Sequence, residues 1–96
     1  MTVRKRAFVP DWVIRPGVTL AETMHERGML QRDLAAVCGW KQSYVSDLIT
    51  GRRAITAKVA LALEAATGVS AEMWMGLQTR FDLGIARGRQ DVSEPL

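Results

Sequence analysis

The chain has 96 residues, of which 48% are hydrophobic, and a formal net charge of +3. This length fits one domain with one core, since typical domains run to about 100–150 residues. No stretch approaches the roughly 20 apolar residues of a membrane span, and no apolar run follows the basic residues 4–6, so we expect neither a membrane segment nor a signal peptide. One cysteine and one histidine argue against a disulfide framework and a structural zinc site. We expect a cytoplasmic protein without a cofactor.

The charges are unevenly distributed along the chain. Residues 27–58 hold six lysines and arginines against two aspartates, whereas residues 59–96 hold three arginines against five acidic residues. A basic middle segment is typical of a surface that faces a polyanion. A chance imbalance on a solvated face would produce the same counts, and charge alone does not decide between the two interpretations.

Glycines and capping residues divide the chain into five predicted helices. Residues 1–15 lack a helical period and are predicted to form an extended arm, after which a proline and a glycine open the first helix. Thr56 and Ser70 are predicted N-caps, and glycines end the first four helices. The predicted helices are 18–27, Gln31–Cys38, Gln42–Thr50, Ala57–Thr67 and Ala71–Ala86. They indicate an all-α, five-helix domain over residues 16–87, followed by a disordered tail over residues 88–96.

Residues 31–50 satisfy the requirements of a helix-turn-helix. Two short helices that cross closely need a small residue on the first helix, and Ala35 supplies it. Gly39, four residues later, tolerates the positive φ of the turn, and Trp40 is placed to fill the gap that follows. Val45 and Leu48 are placed to hold the second helix against its neighbours. These constraints, met in register, predict a helix-turn-helix of the kind that reads duplex DNA.

The solvent face of the second helix of this unit is polar and mostly uncharged, as base edges in the major groove require. A glutamine at its N-terminal end is suited to adenine, and an aspartate further along is suited to cytosine. The predicted base-reading residues are Gln42, Ser43, Ser46 and Asp47. The predicted contacts to the DNA backbone are Gln31, Lys41, Tyr44, Arg52, Arg53 and Lys58. The alternative is that these are ordinary surface residues of a helical bundle.

No group of residues forms a catalytic constellation, and we predict that the protein is not an enzyme. His25 stands alone on the first helix, and Cys38 occupies an apolar position that favours a buried thiol over a reactive one. An apolar stripe on the fifth helix contains Trp74, Leu77 and Phe81. We expect this stripe to pack in the core, although a dimer interface would also use such aromatic residues.

Four motifs give the chain a family resemblance. They are Arg15-Pro16-Gly17, Gly51-Arg52-Arg53-Ala54-Ile55-Thr56, Ser70-Ala71-Glu72-Met73-Trp74 and Leu77-Gln78-Thr79-Arg80-Phe81-Asp82-Leu83. Through them, over about residues 15–87, the chain resembles Cro/cI-type (XRE) repressor domains and, more specifically, HigA-type antitoxins. It departs from that family at Arg15, where histidine is usual, and at Trp40, where valine or isoleucine is usual. It also has Leu30 where a serine or threonine cap is usual, and loss of such a cap costs about 1 kcal/mol.

The resemblance implies a lambda-repressor-like domain with a double function. The protein would neutralise a small, basic ribonuclease toxin of the RelE type, and as a homodimer it would bind double-stranded operator DNA and repress its own operon. The arm, with Phe8, Trp12 and a basic cluster, would bind a partner, exchange between the subunits of a dimer or clamp DNA. Two alternatives stay open: a stand-alone, phage-like helix-turn-helix regulator without a toxin partner, and a protein-interaction module that has lost DNA binding.

Overall fold

The computed structural model describes residues 11–93. Its elements, in chain order, are β1 (Trp12–Val13), α1 (Pro16–Glu26), α2 (Gln31–Cys38), α3 (Gln42–Thr50), α4 (Ala57–Thr67), α5 (Ala71–Ala86) and β2 (Gln90–Asp91). The prediction of five helices is confirmed, and only α1 is shifted from its predicted bounds. Residues 1–10, most of the predicted arm, lie outside the described residues. Within residues 11–93, no helix is both long and apolar enough to cross a membrane.

The start of α1 lies against the end of α3. Pro16 occupies the first turn of α1, where a backbone N–H has no intrahelical partner to lose. Gly17 is buried, and a Cβ atom at this position would overlap the carbonyl oxygen of Ile49 and lie 2.6 Å from that of Leu48. The absence of a side chain at Gly17 therefore lets the two helices meet backbone to backbone.

Both predicted N-caps are confirmed, whereas the start of α2 has no side-chain N-cap and is held by another hydrogen bond. The hydroxyls of Thr56 and Ser70 accept hydrogen bonds from the backbone N–H groups three residues further on, at 3.3 and 3.1 Å. Leu30 precedes α2 and has no side-chain acceptor to offer. The carboxylate of Asp33 instead accepts the backbone N–H of Leu30 at 2.8 Å. This is one half of a capping box, and it holds the entry into α2.

The hydrophobic core receives side chains from all five helices. The largest fully buried side chains are Leu20, Leu34, Val45, Leu48, Leu63 and Trp74. Trp74 has no exposed surface, so it belongs to the core, and the alternative that it lines a dimer interface is wrong. Its indole Nε1 has no hydrogen-bond partner within the described part of the chain.

The two ends of the described chain pair with each other. β1 and β2 form a two-stranded parallel sheet in which Trp12 is opposite Gln90 and Val13 is opposite Asp91. The backbone N–H of Val92 donates to the carbonyl of Val13 at 3.0 Å. The sequence predicts a disordered tail and no strand here, and the structure differs. A two-residue strand is too short to show an alternating pattern, and its partner is far away in the chain.

This pair of strands, called the terminal clasp below, packs on α5. Val13 is buried, and a Cβ atom at Gly84 would overlap its side chain, so Gly84 allows β1 to lie on the helix. Gly88 has a φ of +86° and reverses the chain after α5. The backbone N–H of Arg89 then donates to the carbonyl of Gly84 at 2.9 Å. The clasp is thereby attached to the helical domain.

Candidate nucleic-acid interface

The helix-turn-helix consists of α2, the turn after it and α3. Gly39 ends α2 with a φ of +73°, and the backbone N–H of Trp40 donates to the carbonyl of Ala35 at 2.8 Å. Ala35 is buried, as are Val45 and Leu48 of α3. The residues that the sequence singles out for this unit therefore occupy the places expected of them. The other face of α3 points outward.

The outward face of α3 begins with exposed polar side chains. Lys41, Gln42 and Ser43 are exposed, and Lys41 makes no side-chain cap to the first turn. Ser46 and Asp47 follow one turn later and are half-buried. Residues four apart lie on one side of a helix, so the four predicted base-reading residues form two adjacent rows. Gln42 and Ser43 are the most accessible of the four.

Asp47 binds the two arginines that follow α3. Its carboxylate oxygens lie 3.8 Å from Nη1 of Arg52 and 3.6 Å from Nε of Arg53. Its backbone carbonyl accepts the N–H of Arg53 at 3.1 Å. Both arginine side chains are more than half exposed, and such ion pairs contribute only about 0–1 kcal/mol. The pairs therefore orient the guanidinium groups without immobilising them.

Two aromatic rings and one arginine pack together beside this ion-pair cluster. The rings of Trp40 and Tyr44 have centroids 4.9 Å apart and are tilted by 51°. The guanidinium of Arg53 lies 4.6 Å from the centroid of the Tyr44 ring, a cation–π distance. Lys41 and Ser43 complete a recess of about 290 Å³ at this point. Trp40 thus does more than fill the turn, since it supports a predicted backbone-contacting tyrosine.

Gln78 holds the loop between α3 and α4, a role that its sequence neighbours do not predict. Its Oε1 accepts the backbone N–H of Ile55 at 2.8 Å, and its Nε2 donates to a carboxylate oxygen of Asp82 at 2.9 Å. Gln78 is buried on α5, so its amide is a fixed support for the loop that carries Arg52 and Arg53. A polar residue inside an apolar stripe was the only sequence signal.

Arg15 holds the other end of the same region. Its Nε donates to the carbonyl of Ile49 at 3.1 Å, at the C-terminal end of α3. Its guanidinium also lies 3.8 Å from the carboxylate of Asp91 in β2. The motif Arg15-Pro16-Gly17 marks this residue, but nothing local indicates that it contacts residues so distant in the chain.

The remaining predicted DNA contacts lie at the starts of two other helices. Gln31 is the first residue of α2 and is half-buried, and Lys58 is exposed in the first turn of α4. Helix N-termini carry a partial positive charge that favours phosphate groups. These two positions are therefore suitable for phosphate contacts, which remain a prediction.

Leu77 and Phe81, the other candidates for a dimer interface, are half-buried on α5. They line a groove of about 360 Å³ whose opposite wall includes Trp12 and Ile14 of the N-terminal segment. Both of the latter residues are exposed. The groove is thus a largely apolar surface on the side of the domain formed by α1, α5 and the clasp.

Cys38 and His25 lie outside this surface. Burial raises the pKa of the Cys38 thiol, whose Sγ lies 3.9 Å from the carbonyl oxygen of Ala62. A raised pKa keeps the thiol protonated and unreactive near neutral pH. His25 is exposed on α1. Among residues 11–93, no three histidine, cysteine or acidic side chains are grouped as a metal site would require.

Known proteins resemble the chain over the region that contains the helix-turn-helix. A helix-turn-helix family profile matches residues 20–74. The chain is 34% identical over 79 residues to the uncharacterized HTH-type transcriptional regulator YddM of Escherichia coli (strain K12), covering 82% of this chain and 84% of YddM.

Two solved structures share its fold. A HigA-family addiction module antidote protein from Coxiella burnetii superimposes with a TM-score of 0.72 at 32% identity, over 77% of this chain and 82% of that one. The Pseudomonas aeruginosa antitoxin HigA, solved with the higBA promoter, has a TM-score of 0.72 at 29% identity over the same shares of the two chains. The chain therefore belongs to the XRE-type helix-turn-helix family and, within it, to the HigA group.

Proposed function

We propose that this protein is the antitoxin of a toxin–antitoxin pair, which binds operator DNA as a dimer and represses its own operon. The observation that carries the DNA-binding part is the outward face of α3. It presents exposed Gln42 and Ser43 and is followed by Arg52 and Arg53. A Pseudomonas aeruginosa relative of the same fold was solved with promoter DNA, which supports DNA binding by this chain.

Each group on this surface suits one part of duplex DNA. Gln42, Ser43 and Ser46 donate and accept hydrogen bonds, as base edges in the major groove require. Cationic side chains and the tyrosine hydroxyl suit phosphate oxygens. The proposed backbone contacts are Gln31, Lys41, Tyr44, Arg52, Arg53 and Lys58. Once phosphates bind the two arginines, the Asp47 carboxylate is free to accept a hydrogen bond from cytosine N4.

Operator binding tests this assignment. The double variant Arg52→Ala/Arg53→Ala should weaken binding to every DNA sequence. The slope of log K against log salt should become shallower by about two, because two phosphate contacts are lost. The variant Gln42→Ala should change the preferred base at one position. The variant Arg87→Ala removes a cation at the C-cap of α5, away from α3 and outside the lining of the apolar groove, and should keep the wild-type slope. Absence of binding to the upstream promoter, or binding that salt does not affect, would refute the proposal.

The antitoxin part rests on membership of the HigA group, and the proposed partner is a small, basic ribonuclease of the RelE type. Expression of the neighbouring gene alone should arrest growth, and co-expression with this chain should restore it. The two products should co-purify. If the neighbouring gene encodes no such protein, the stand-alone regulator becomes the better explanation, and operator binding remains as predicted.

A further inference from the structure

We propose that the terminal clasp positions the recognition helix α3, and that Arg15 transmits this effect. The inference rests on the proposed DNA binding, because it concerns how that same surface is regulated. Arg15 is the residue that connects the clasp with the start of α1. It therefore stands between the paired chain ends and the helix that touches the end of α3.

On the side of α3, Arg15 satisfies a helix terminus. The last carbonyls of a helix lack intrahelical partners, and a cation there is favourable. Nε of Arg15 donates to one of them, that of Ile49, at 3.1 Å. The side-chain stem also covers Gly51, where a Cβ atom would lie 2.9 Å from Cδ of Arg15. Arg15 thus contacts the residues from which the loop with Arg52 and Arg53 departs.

On the side of the clasp, three residues form a closed ring of contacts. The backbone N–H of Arg15 donates to Oγ of Ser93 at 2.6 Å. The hydroxyl and the backbone N–H of Ser93 both donate to one carboxylate oxygen of Asp91, the latter at 2.8 Å. The other carboxylate oxygen of Asp91 lies 3.8 Å from Nη1 of Arg15. Asp91 of β2 is therefore one of the groups that hold the guanidinium in position.

The Arg15 side chain is largely buried, so the loss of a neighbouring carboxylate affects its position. The Arg15 side chain is only 13% exposed, so its charge is stabilised by the groups around it and not by bulk water. Separation of β2 from β1 removes the Asp91 carboxylate and favours rotation of the guanidinium toward solvent. The carbonyl of Ile49 then loses its donor, and the end of α3 loosens. A partner that captures β2 would thereby lower operator affinity without contacting α3.

Asp91→Asn tests the proposal because electrostatics alone predicts the opposite result. The substitution makes the protein more positive, so a purely long-range effect would tighten DNA binding. Weakened positioning should instead reduce operator affinity by about five- to tenfold, which is the scale of one lost hydrogen bond. The salt slope should stay unchanged, since no phosphate contact is removed. Glu72→Gln, with the same charge change in the first turn of α5, is the matched control.

A second measurement keeps the inference separate from the proposed function. Amide hydrogen exchange of residues 49–53 should be faster in Asp91→Asn and in the milder variant Ser93→Ala than in the wild type or in Glu72→Gln. If the wild type binds no operator, the proposed function fails. Amide hydrogen exchange then still tests whether the clasp positions the end of α3. Unchanged exchange at these residues, or operator affinity in Asp91→Asn equal to that of Glu72→Gln, would overturn the positioning role.

Discussion

A carboxylate among the cations of the proposed DNA surface alters what those cations do. Asp47 lies within 4 Å of both Arg52 and Arg53 in the free protein. Phosphates must therefore compete with Asp47 for both guanidinium groups. Since phosphate contacts supply most of non-specific binding, we expect Asp47 to lower the affinity for DNA of any sequence and to increase the relative weight of base contacts.

Asp47→Asn should raise non-specific DNA affinity. Removal of the carboxylate frees two arginines for phosphates, and we expect binding to random duplex at low salt to tighten by about tenfold, with a salt slope steeper by about one. Discrimination between operator and random duplex should fall. Titration of both duplexes at several salt concentrations measures all three quantities.

Two comparisons control this prediction. Glu72→Gln changes the net charge equally but lies in the first turn of α5, so a general charge effect would appear in both variants. The free energy of unfolding should hardly change, because exposed ion pairs contribute little. Equal tightening in the two variants would show that the Asp47 pairs have no specific role.

Single-residue roles were predictable where they follow from a helical face. Val45 and Leu48 identify the buried stripe of α3, and its polar face is then what remains. Gln78 and Arg15 were not predicted, because their partners Ile55 and Ile49 lie 23 and 34 positions away. Periodicity and capping signals are local, and they carry no information about such distant pairs.

At the scale of elements, the entry into α2 is held from one side only. Asp33 accepts the N–H of Leu30, but the side chain of Leu30 offers no acceptor in return, and the N–H of Asp33 donates to the backbone carbonyl of Leu30 at 3.0 Å. Leu30 is 52% exposed and has the extended backbone of an N-cap. A hydroxyl at this position would complete the capping box.

Leu30→Ser should therefore give a more stable protein than Leu30→Ala. The expected gain in the free energy of unfolding is about 1 kcal/mol relative to Leu30→Ala, or about 5 °C in Tm for a domain of this size. Thermal unfolding of both variants measures it. The alanine variant removes the same apolar side chain without adding an acceptor, so equal melting temperatures would contradict the capping explanation.

The contact between α1 and α3 depends on Gly17. Gly17→Ala would place a methyl group against the backbone carbonyls of Leu48 and Ile49, and backbone cannot rotate away as a side chain can. We expect a loss of about 2 kcal/mol or more in the free energy of unfolding, within the range for overpacked interiors. Chemical denaturation measures it.

Gly76→Ala is the matched control, because this glycine lies inside α5 and a Cβ atom there meets nothing within 4 Å. The same methyl group should stabilise the helix by up to about 1 kcal/mol. A destabilisation of similar size at both glycines would show that close approach is not the cause at Gly17.

Helix bounds were predictable because their signals are local. Glycines with positive φ end α2, α3 and α4, and Thr56 and Ser70 cap the helices that follow them. The terminal clasp had no such signal. Its strands have two residues each and join opposite ends of the described chain, so only the folded domain brings them together.

At the scale of the whole molecule, the proposed DNA surface and the apolar groove belong to different elements. The first is formed by α3 and its flanking loops, and the second by α1, α5 and β1. An operator that is a palindrome requires two helix-turn-helix units related by a two-fold axis. We propose that the second copy packs on the groove, because this leaves α3 of each copy free for DNA.

Ile14→Glu should dissociate such a dimer. Ile14 lines the groove and is 46% exposed, so the isolated domain should tolerate glutamate, whereas burial of an unpaired carboxylate at an interface is costly. We expect the dimer Kd to rise at least about tenfold, equivalent to 1.4 kcal/mol. Sedimentation velocity measures this change. Affinity for the full palindrome should fall, while binding to a single half-site stays unchanged.

Leu61→Glu, on α4 at a side chain that is 60% exposed, should leave the dimer intact. Dissociation by Leu61→Glu and not by Ile14→Glu would move the interface to α4.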